Sequence, residues 1–216
     1  MRRSQSIFFI MASCLVLTAC YVGSSQWLLE AEEAFDFGQQ FRVDGDEPFV
    51  AIRDGAWYRV VIEAEDEPAD LRFRFVDHLA EGATLVAQPC PECRRGTFET
   101  RSVEADGVHF VYGQFVETAP DILSVCLLSS EGFYQRWSDL AAAEADATSA
   151  RDAADQAFLG SLFEAVDPND SLVTAPPIEL ATAAELDRLM EMASPEGGTT
   201  RDRDYLSCEE WALHHH

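Results

Sequence analysis

Four cysteines, Cys90, Cys93, Cys126 and Cys208, offer the widest range of chemistry in this sequence. Two residues separate Cys90 from Cys93, which is the spacing of many zinc-binding and redox-active pairs. A zinc site would need further ligands, such as Cys208 or His109, because there is no second pair at this spacing. A thioredoxin-like pair stands at the start of a helix, whereas here a predicted strand follows. All four cysteines can instead form disulfides, so the compartment decides between these readings.

Few other residues stand in a pattern typical of catalysis. All 15 basic residues are arginines, which excludes P-loop, SxxK and Schiff-base chemistry, since each of these needs a lysine. His78 and His109 stand beside no nucleophile motif. The acidic clusters at 44–47 and 63–67 flank predicted strand ends and are interpreted as solvated turns, and Asp44-Gly45-Asp46 lacks the rest of a calcium loop. We therefore predict no catalytic residue, no metal site and no cofactor.

The first 20 residues have the features of a secretion signal. Arg2 and Arg3 precede an apolar segment at 7–17, which is too short to cross a bilayer as a helix. The segment ends in Leu17-Thr18-Ala19-Cys20, which resembles the lipobox of bacterial lipoproteins. The resemblance covers only residues 1–20.

This resemblance implies that residues 1–19 are removed and that Cys20 becomes the lipid-bearing first residue. The cysteine thiol would carry a diacylglycerol, and the new amine would be acylated, for example with palmitate. Several acyl chains hold a protein stably in a membrane. Tyr21, rather than an aspartate, follows the cysteine and favours the outer membrane, with the protein facing the periplasm.

The cell envelope is an oxidising compartment, which makes disulfides the favoured fate of the four remaining cysteines. Four cysteines allow three pairings. We expect Cys90 to pair with Cys93 within a turn, and Cys126 to hold the C-terminal tail through Cys208. The zinc and redox alternatives remain as competing hypotheses.

The net charge of −24 excludes one class of partner. Arg2 and Arg3 are the only charged residues of the predicted signal, so its removal changes the net charge of −24 to −26. Such a surface repels the phosphates of nucleic acids and the headgroups of anionic lipids. We predict no nucleic-acid binding. The membrane, through the lipid on Cys20, and another envelope protein are the expected partners.

Residues 35–130 read as a β domain after a tether at 20–34. Alternation of apolar and polar residues at 71–75 predicts a half-buried strand. Asp54-Gly55 and Asp106-Gly107 stand between strand-like segments and predict tight hairpins. Further strands are predicted at 83–88 and 122–128. Seven or eight short strands at this spacing favour an antiparallel meander, closed as a small barrel or folded as a sandwich.

Residues 131–213 read as a helical region. Alanine dominates 140–158 and favours a helix there. Thr182 and Glu185 form a capping box that predicts a second helix at 183–193. His214 to His216 resemble the remnant of a purification tag and are left out of any metal site. The fold class is therefore α+β, with one or two helices after the β meander.

Aromatic residues are concentrated in the β region, and in a closed barrel some could line a cavity for an apolar ligand. The candidates are Trp57, Phe73, Phe75, Phe110 and Tyr112, for which ordinary core packing is the competing interpretation. The favoured function is a non-catalytic binding or protein-interaction module in the envelope. The alternative is a lipocalin-like carrier of a small apolar ligand.

Overall fold

The computed structural model of the chain describes residues 22–44, 48–62, 71–80, 93–104, 107–143, 149–163, 175–193 and 205–215. Its strands are β1 (Val22–Ser24), β2 (Gln40–Asp44), β3 (Phe49–Asp54), β4 (Trp57–Val61), β5 (Leu71–Val76), β6 (Arg95–Glu104), β7 (Gly107–Ala119), β8 (Ile122–Leu128), β9 (Ile178–Glu179) and β10 (Leu206–His215). Its helices are α1 (Ser130–Ala142), α2 (Ala150–Leu162) and α3 (Ala183–Met192). None of the helices described is long and apolar enough to cross a membrane.

Eight antiparallel strands close into a barrel. Their order is β6-β5-β4-β3-β2-β10-β8-β7, and β7 pairs back onto β6 to complete the ring. The predicted α+β class with an antiparallel meander is thus confirmed, and the barrel is the form adopted. The barrel, Gly23 and Ser24 of β1, and α3 belong to one compact unit, whereas α1, α2 and β9 belong to another.

Local turn chemistry sets the two predicted hairpins. Asp54 pairs with Trp57 across a two-residue turn, and Gly55 in that turn has a φ of +67°. The β6–β7 hairpin begins its second strand at Gly107, which has a φ of +148°. Glycine adopts positive φ without the steric cost that other residues meet. Strand β8 occupies the predicted 122–128 segment, whereas the strand predicted at 83–88 lies outside the described residues.

The helices differ from the simplest reading of the alanine-rich segment. Instead of one helix through 140–158, α1 ends at Ala142 and α2 begins after Ser149. Ser149 and Asp152 form a capping box that starts the second helix. The high alanine content on both sides of Ser149 favours helix throughout and gives no sign of this new start. Within this unit, Trp137 of α1 stacks on Phe163, which follows α2, with ring centroids 5.4 Å apart. The capping box predicted for α3 is present.

The tail of the chain supplies a barrel strand rather than more helix. Strand β10 lies between β2 and β8, so the barrel is completed by residues 206–215. His214 and His215 form the last pairs of this strand, and His215 Nε2 lies 2.9 Å from Asp121 Oδ1. Closure of the sheet therefore requires β10 to pair with β8, which lies far earlier in the sequence. Cys126 and Cys208, which face each other on these two strands, are 82 residues apart.

Candidate functional site

Aromatic rings from several strands meet inside the barrel. Phe73 of β5 contacts Phe98 at 5.7 Å, Phe49 at 6.0 Å and Trp211 at 5.5 Å between ring centroids. Trp211 lies on β10, which is not a neighbour of β5 in the sheet, so these contacts cross the interior. Phe75 contacts Phe98 and Trp211 as well. The barrel is therefore packed by its own rings at this level, in the tilted and edge-on geometries that aromatic pairs prefer.

The five aromatic residues predicted to line a cavity lie on two different faces. Phe73 and Phe75 point inward and are 1% and 0% exposed. Trp57, Phe110 and Tyr112 point outward, because each is offset by one residue from an inward-facing neighbour in a strand. All five are nonetheless buried. The structure thus does not bring the five into one site, and an additional layer covers the outer three.

That layer is residues 25–34 of the predicted tether, here called the strap. Trp27 in the strap stacks on Phe110 with an interplanar angle of 8° and ring centroids 6.2 Å apart. Its ring also lies 5.7 Å from that of Trp57. Leu29, two residues later, is only 2% exposed. The strap therefore begins five residues after Cys20 and packs on the barrel wall.

Tyr112 fixes the strap by its hydroxyl group. The hydroxyl accepts a hydrogen bond from the Leu28 amide at 3.2 Å and donates one to the Gln26 carbonyl at 3.3 Å. Burial raises the pKa of Tyr112 well above its usual value, and the neighbouring carboxylate of Glu99 adds to this effect. The phenol thus stays protonated and remains a hydrogen-bond donor.

Arg74 is the centre of the contacts between strap and barrel. It is 1% exposed, and its Nε donates to Glu99 Oε2 at 2.5 Å. Its Nη2 donates to the Leu29 carbonyl of the strap, also at 2.5 Å. The guanidinium lies 4.9 Å from the ring centre of Trp27 and 5.1 Å from that of Trp57, within the range of cation–π attraction. One arginine therefore joins the strap to three strands of the barrel.

Glu99 carries the charge that balances Arg74. Burial raises its pKa, while the charge of Arg74 and the hydrogen bond from it oppose that rise. Trp27 Nε1 and the Tyr112 hydroxyl also lie close enough to favour the ionised carboxylate. Neither Glu99 Oε1 nor Trp27 Nε1 has a partner at hydrogen-bond geometry among the described residues. We refer to Trp27, Trp57, Arg74, Glu99 and Tyr112 as the strap cluster.

His78 joins the other end of the strap to helix α3. Its Nε2 lies 2.7 Å from Asp187 Oδ1 on α3, and its Nδ1 lies 3.7 Å from Glu32 Oε1 in the strap. Thr97 of β6 donates to the His78 carbonyl at 2.8 Å and contacts the sulfur of Met190. These contacts give His78 a structural position between three elements. His109, the other histidine considered from sequence, lies on β7 opposite a serine of β6.

Three of the four cysteines that were expected to form disulfides lie within the described residues, and all three are disulfide-bonded. Cys126 and Cys208 stand opposite each other on β8 and β10 and form a disulfide, which confirms that predicted pair. Cys93 is disulfide-bonded as well, whereas Cys90 and Cys20 lie outside the described residues. Within the described ranges, no group of three or more metal-ligating side chains is arranged to hold a metal ion.

Sequence reasoning named Trp57 and Tyr112 as candidate ligand-lining residues but missed the other three members of the strap cluster, although part of the signal is present. Alternation at 71–75 places Arg74 on the face opposite Phe73 and Phe75, which by itself predicts an exposed arginine. Trp27 is an aromatic residue in a segment read as a tether, and it marks the cover over that face. Comparison of the chain with protein-family models, curated proteins and solved structures finds no match.

Proposed function

We propose that this chain is a lipid-anchored protein of the bacterial cell envelope that acts as a non-catalytic binding or protein-interaction module. The observation that carries the proposal is the contact between aromatic rings from facing strands inside the barrel, because rings that pack on one another across the interior favour recognition at the outer surface. The Leu17 to Cys20 segment supports the lipid anchor. The strap supports a direct connection between that anchor and the barrel.

The anchor is tested by the intact mass of the protein purified from envelope membranes. We expect a chain that begins at Cys20 and carries the mass of a diacylglycerol and an amide-linked acyl chain. A Cys20→Ser variant is the control and should lose both modifications. A mature N-terminus at Tyr21, or an unmodified Cys20, would refute the anchor. Density-gradient separation of the two membranes then tests the outer-membrane location.

The interaction module is tested by photo-cross-linking in cells. A photoreactive residue would replace exposed positions such as Asp54 or Glu210, and Phe73, which is 1% exposed, provides the buried control. We expect a reproducible adduct with the same envelope protein from at least one exposed position and none from the control. Absence of an adduct from a set of positions that covers the outer surface would contradict the proposal.

A carrier of small apolar ligands is the second candidate, because an eight-strand antiparallel barrel has the general shape of a lipocalin. Titration with an apolar fluorophore separates the two. The interaction module predicts no saturable binding by the wild-type protein. A Phe73→Ala variant provides a positive control, since it opens an apolar cavity that can bind small apolar molecules. The cavity lies in the ring cluster, which is the set of aromatic side chains that meet inside the barrel around Phe73, Phe75, Phe98 and Trp211. Stoichiometric binding by the wild type would favour the carrier.

A further inference from the structure

Three arginines stand side by side on the outer face of the barrel. Arg59 on β4 pairs with Arg72 on β5, and Arg72 pairs with Arg101 on β6. They point outward, because the adjacent residues Tyr58 and Phe73 point into the ring cluster. Adjacent strands are about 4.8 Å apart, so three positive charges are concentrated within about 10 Å. We refer to these three residues as the arginine row.

The residues that the structure describes neutralise the arginine row only in part. Arg72 donates to Asp54 at 2.9 Å, in a pair whose side chains are 30% and 60% exposed. Arg59 and Arg101 make no hydrogen bond or ion pair with another residue in the described part of the chain. Like charges directly opposite each other on neighbouring strands are destabilising. The barrel therefore carries a local positive site whose electrostatic cost an external anion would relieve.

The row lies beside the segment that leads to Cys20. Arg101 pairs with Phe110 on β7, and Phe110 pairs with Ser24 on β1. Trp27 of the strap stacks on Phe110. Ser24 follows Cys20 by four residues, which span at most about 14 Å even when fully extended. A lipid on Cys20 therefore keeps this side of the barrel close to the headgroups of its membrane.

We propose that the arginine row binds the phosphate groups of anionic phospholipids in the membrane that holds the anchor. This inference rests on the proposed function, since Cys20 brings the row to that membrane. The guanidinium group suits the task, because it binds phosphate through two parallel hydrogen bonds. The rest of the surface is acidic and is repelled by the same lipids, so that binding orients the barrel with the row toward the bilayer.

The acidic segment at 63–70 is the competing occupant within the chain. It connects β4 to β5 and contains five carboxylates. If this segment neutralised the row, anionic lipids would find no free positive site. The experiment therefore includes a variant in which Glu63, Glu65 and Asp66 are replaced by glutamine.

Vesicle binding by a protein without the anchor tests the proposal. A chain that begins at Tyr21 keeps every residue described by the structure and lacks Cys20. We expect it to bind vesicles of 30% phosphatidylglycerol in phosphatidylcholine, to bind pure phosphatidylcholine far more weakly, and to dissociate as salt is raised. The R59Q/R72Q/R101Q variant should bind the anionic vesicles about 100-fold more weakly, because each arginine near such a surface contributes about fivefold.

Two further variants make the result specific to the row. The matched control R42Q/R151Q/R188Q removes the same charge elsewhere and should retain binding within about threefold of the wild-type value. The R59K/R72K/R101K variant keeps the positive charge but lacks the paired N–H donors of the guanidinium, so it should bind the anionic vesicles more weakly than the wild type and more tightly than the R59Q/R72Q/R101Q variant. Circular dichroism spectra that match the wild type establish that each variant is folded.

Several outcomes would overturn the proposal. Equal loss in the row variant and the matched control would mean that only net charge matters. No binding by the wild type would also overturn it, and binding restored by the 63–66 glutamine variant would identify the chain's own segment as the occupant. Row-dependent binding of inorganic phosphate without vesicle binding would instead assign a free-phosphate site. All these results are independent of the intact mass of Cys20, which tests the anchor separately.

Discussion

Replacement of Arg74 by methionine removes the guanidinium from the strap cluster and keeps an unbranched apolar stem in its place. The variant leaves Glu99 as a carboxylate that is 0% exposed and has lost its charge partner. It also leaves the Leu29 carbonyl without the hydrogen bond from Nη2. Each of these losses occurs where water cannot easily take the place of the missing partner.

The magnitude follows from burial. Arg74 and Glu99 are 1% and 0% exposed, and the pair is joined at 2.5 Å. Removal of one partner of a buried pair destabilises a protein by about 3–5 kcal/mol, whereas removal of both partners is often nearly neutral. We therefore expect Arg74→Met to lower the free energy of unfolding by about 4 kcal/mol at pH 7. The double variant Arg74→Met/Glu99→Gln should lose much less than the sum of the single variants.

The pH dependence has a definite sign. Burial raises the pKa of Glu99, and the charge of Arg74 limits that rise, so that loss of Arg74 raises the pKa further. A carboxyl group with a raised folded-state pKa favours the folded state below its unfolded-state pKa. That contribution is lost as pH rises through the folded-state pKa. The penalty of Arg74→Met should therefore shrink as the pH is lowered from 7 towards 5.

Urea unfolding followed by tryptophan fluorescence at pH 7 and pH 5 measures these differences in a double-mutant cycle. Arg42→Met is the control, because Arg42 pairs with an exposed carboxylate and should have little effect. Additive single and double variants would show that Arg74 and Glu99 do not stabilise each other. A penalty that stays constant between pH 7 and pH 5 would show that the ionised carboxylate is not its cause.

Three further predictions concern the barrel. Replacement of Cys126 and Cys208 by serine should lower the free energy of unfolding by about 4 kcal/mol, since the disulfide closes a loop of 82 residues; an unchanged urea midpoint would contradict this. Hydrogen bonding to Arg94 lowers the pKa of Glu117, so that this pair stabilises the fold above the unfolded-state pKa and the effect is lost as pH falls through the folded-state pKa. Arg94→Gln should therefore weaken the pH dependence of the thermal midpoint in that acidic range. Gly113→Ala should destabilise the barrel by about 1–3 kcal/mol, because a Cβ there would overlap the Cys126 carbonyl oxygen on the neighbouring strand; a stable variant with an unchanged melting temperature would refute it.

Local patterns predicted the hairpins and the last helix well. Gly55 allows the tight turn independently of its tertiary surroundings, because glycine has no Cβ and adopts a positive φ at little steric cost. The Thr182 capping box likewise starts α3 through hydrogen bonds between residues three positions apart. Such features can be read from a short window, since every group that stabilises them is nearby in the chain.

Long-range pairing could not be read in this way. Residues 206–215 carry no strong strand pattern, yet they form β10, because the gap between β2 and β8 offers backbone donors and acceptors on both sides. The same contacts incorporate His214 and His215, which sequence reasoning set aside. Tertiary context thus decides the fate of a segment whose own preference is weak.

The burial of Arg74 likewise combines a feature that the local sequence predicts with one that only distant residues decide. Alternation at 71–75 correctly separates Phe73 and Phe75 from the arginines of the strand, because side chains in a strand alternate between faces. What covers the second face depends on a strap that comes from some 45 residues earlier and on Glu99 from the next strand.

The amino-acid sequence alone was enough to predict the antiparallel β domain, its hairpins and the Cys126–Cys208 pair. It also shows directly that residues 17–20 resemble a lipobox. Each of these depends on neighbours in the chain or on a small number of cysteines. The tertiary structure decided that the sheet closes, that Arg74 is buried, and that Arg59, Arg72 and Arg101 form a row in a chain of net charge −24. Register between distant strands sets which side chains become neighbours, and composition cannot encode that register.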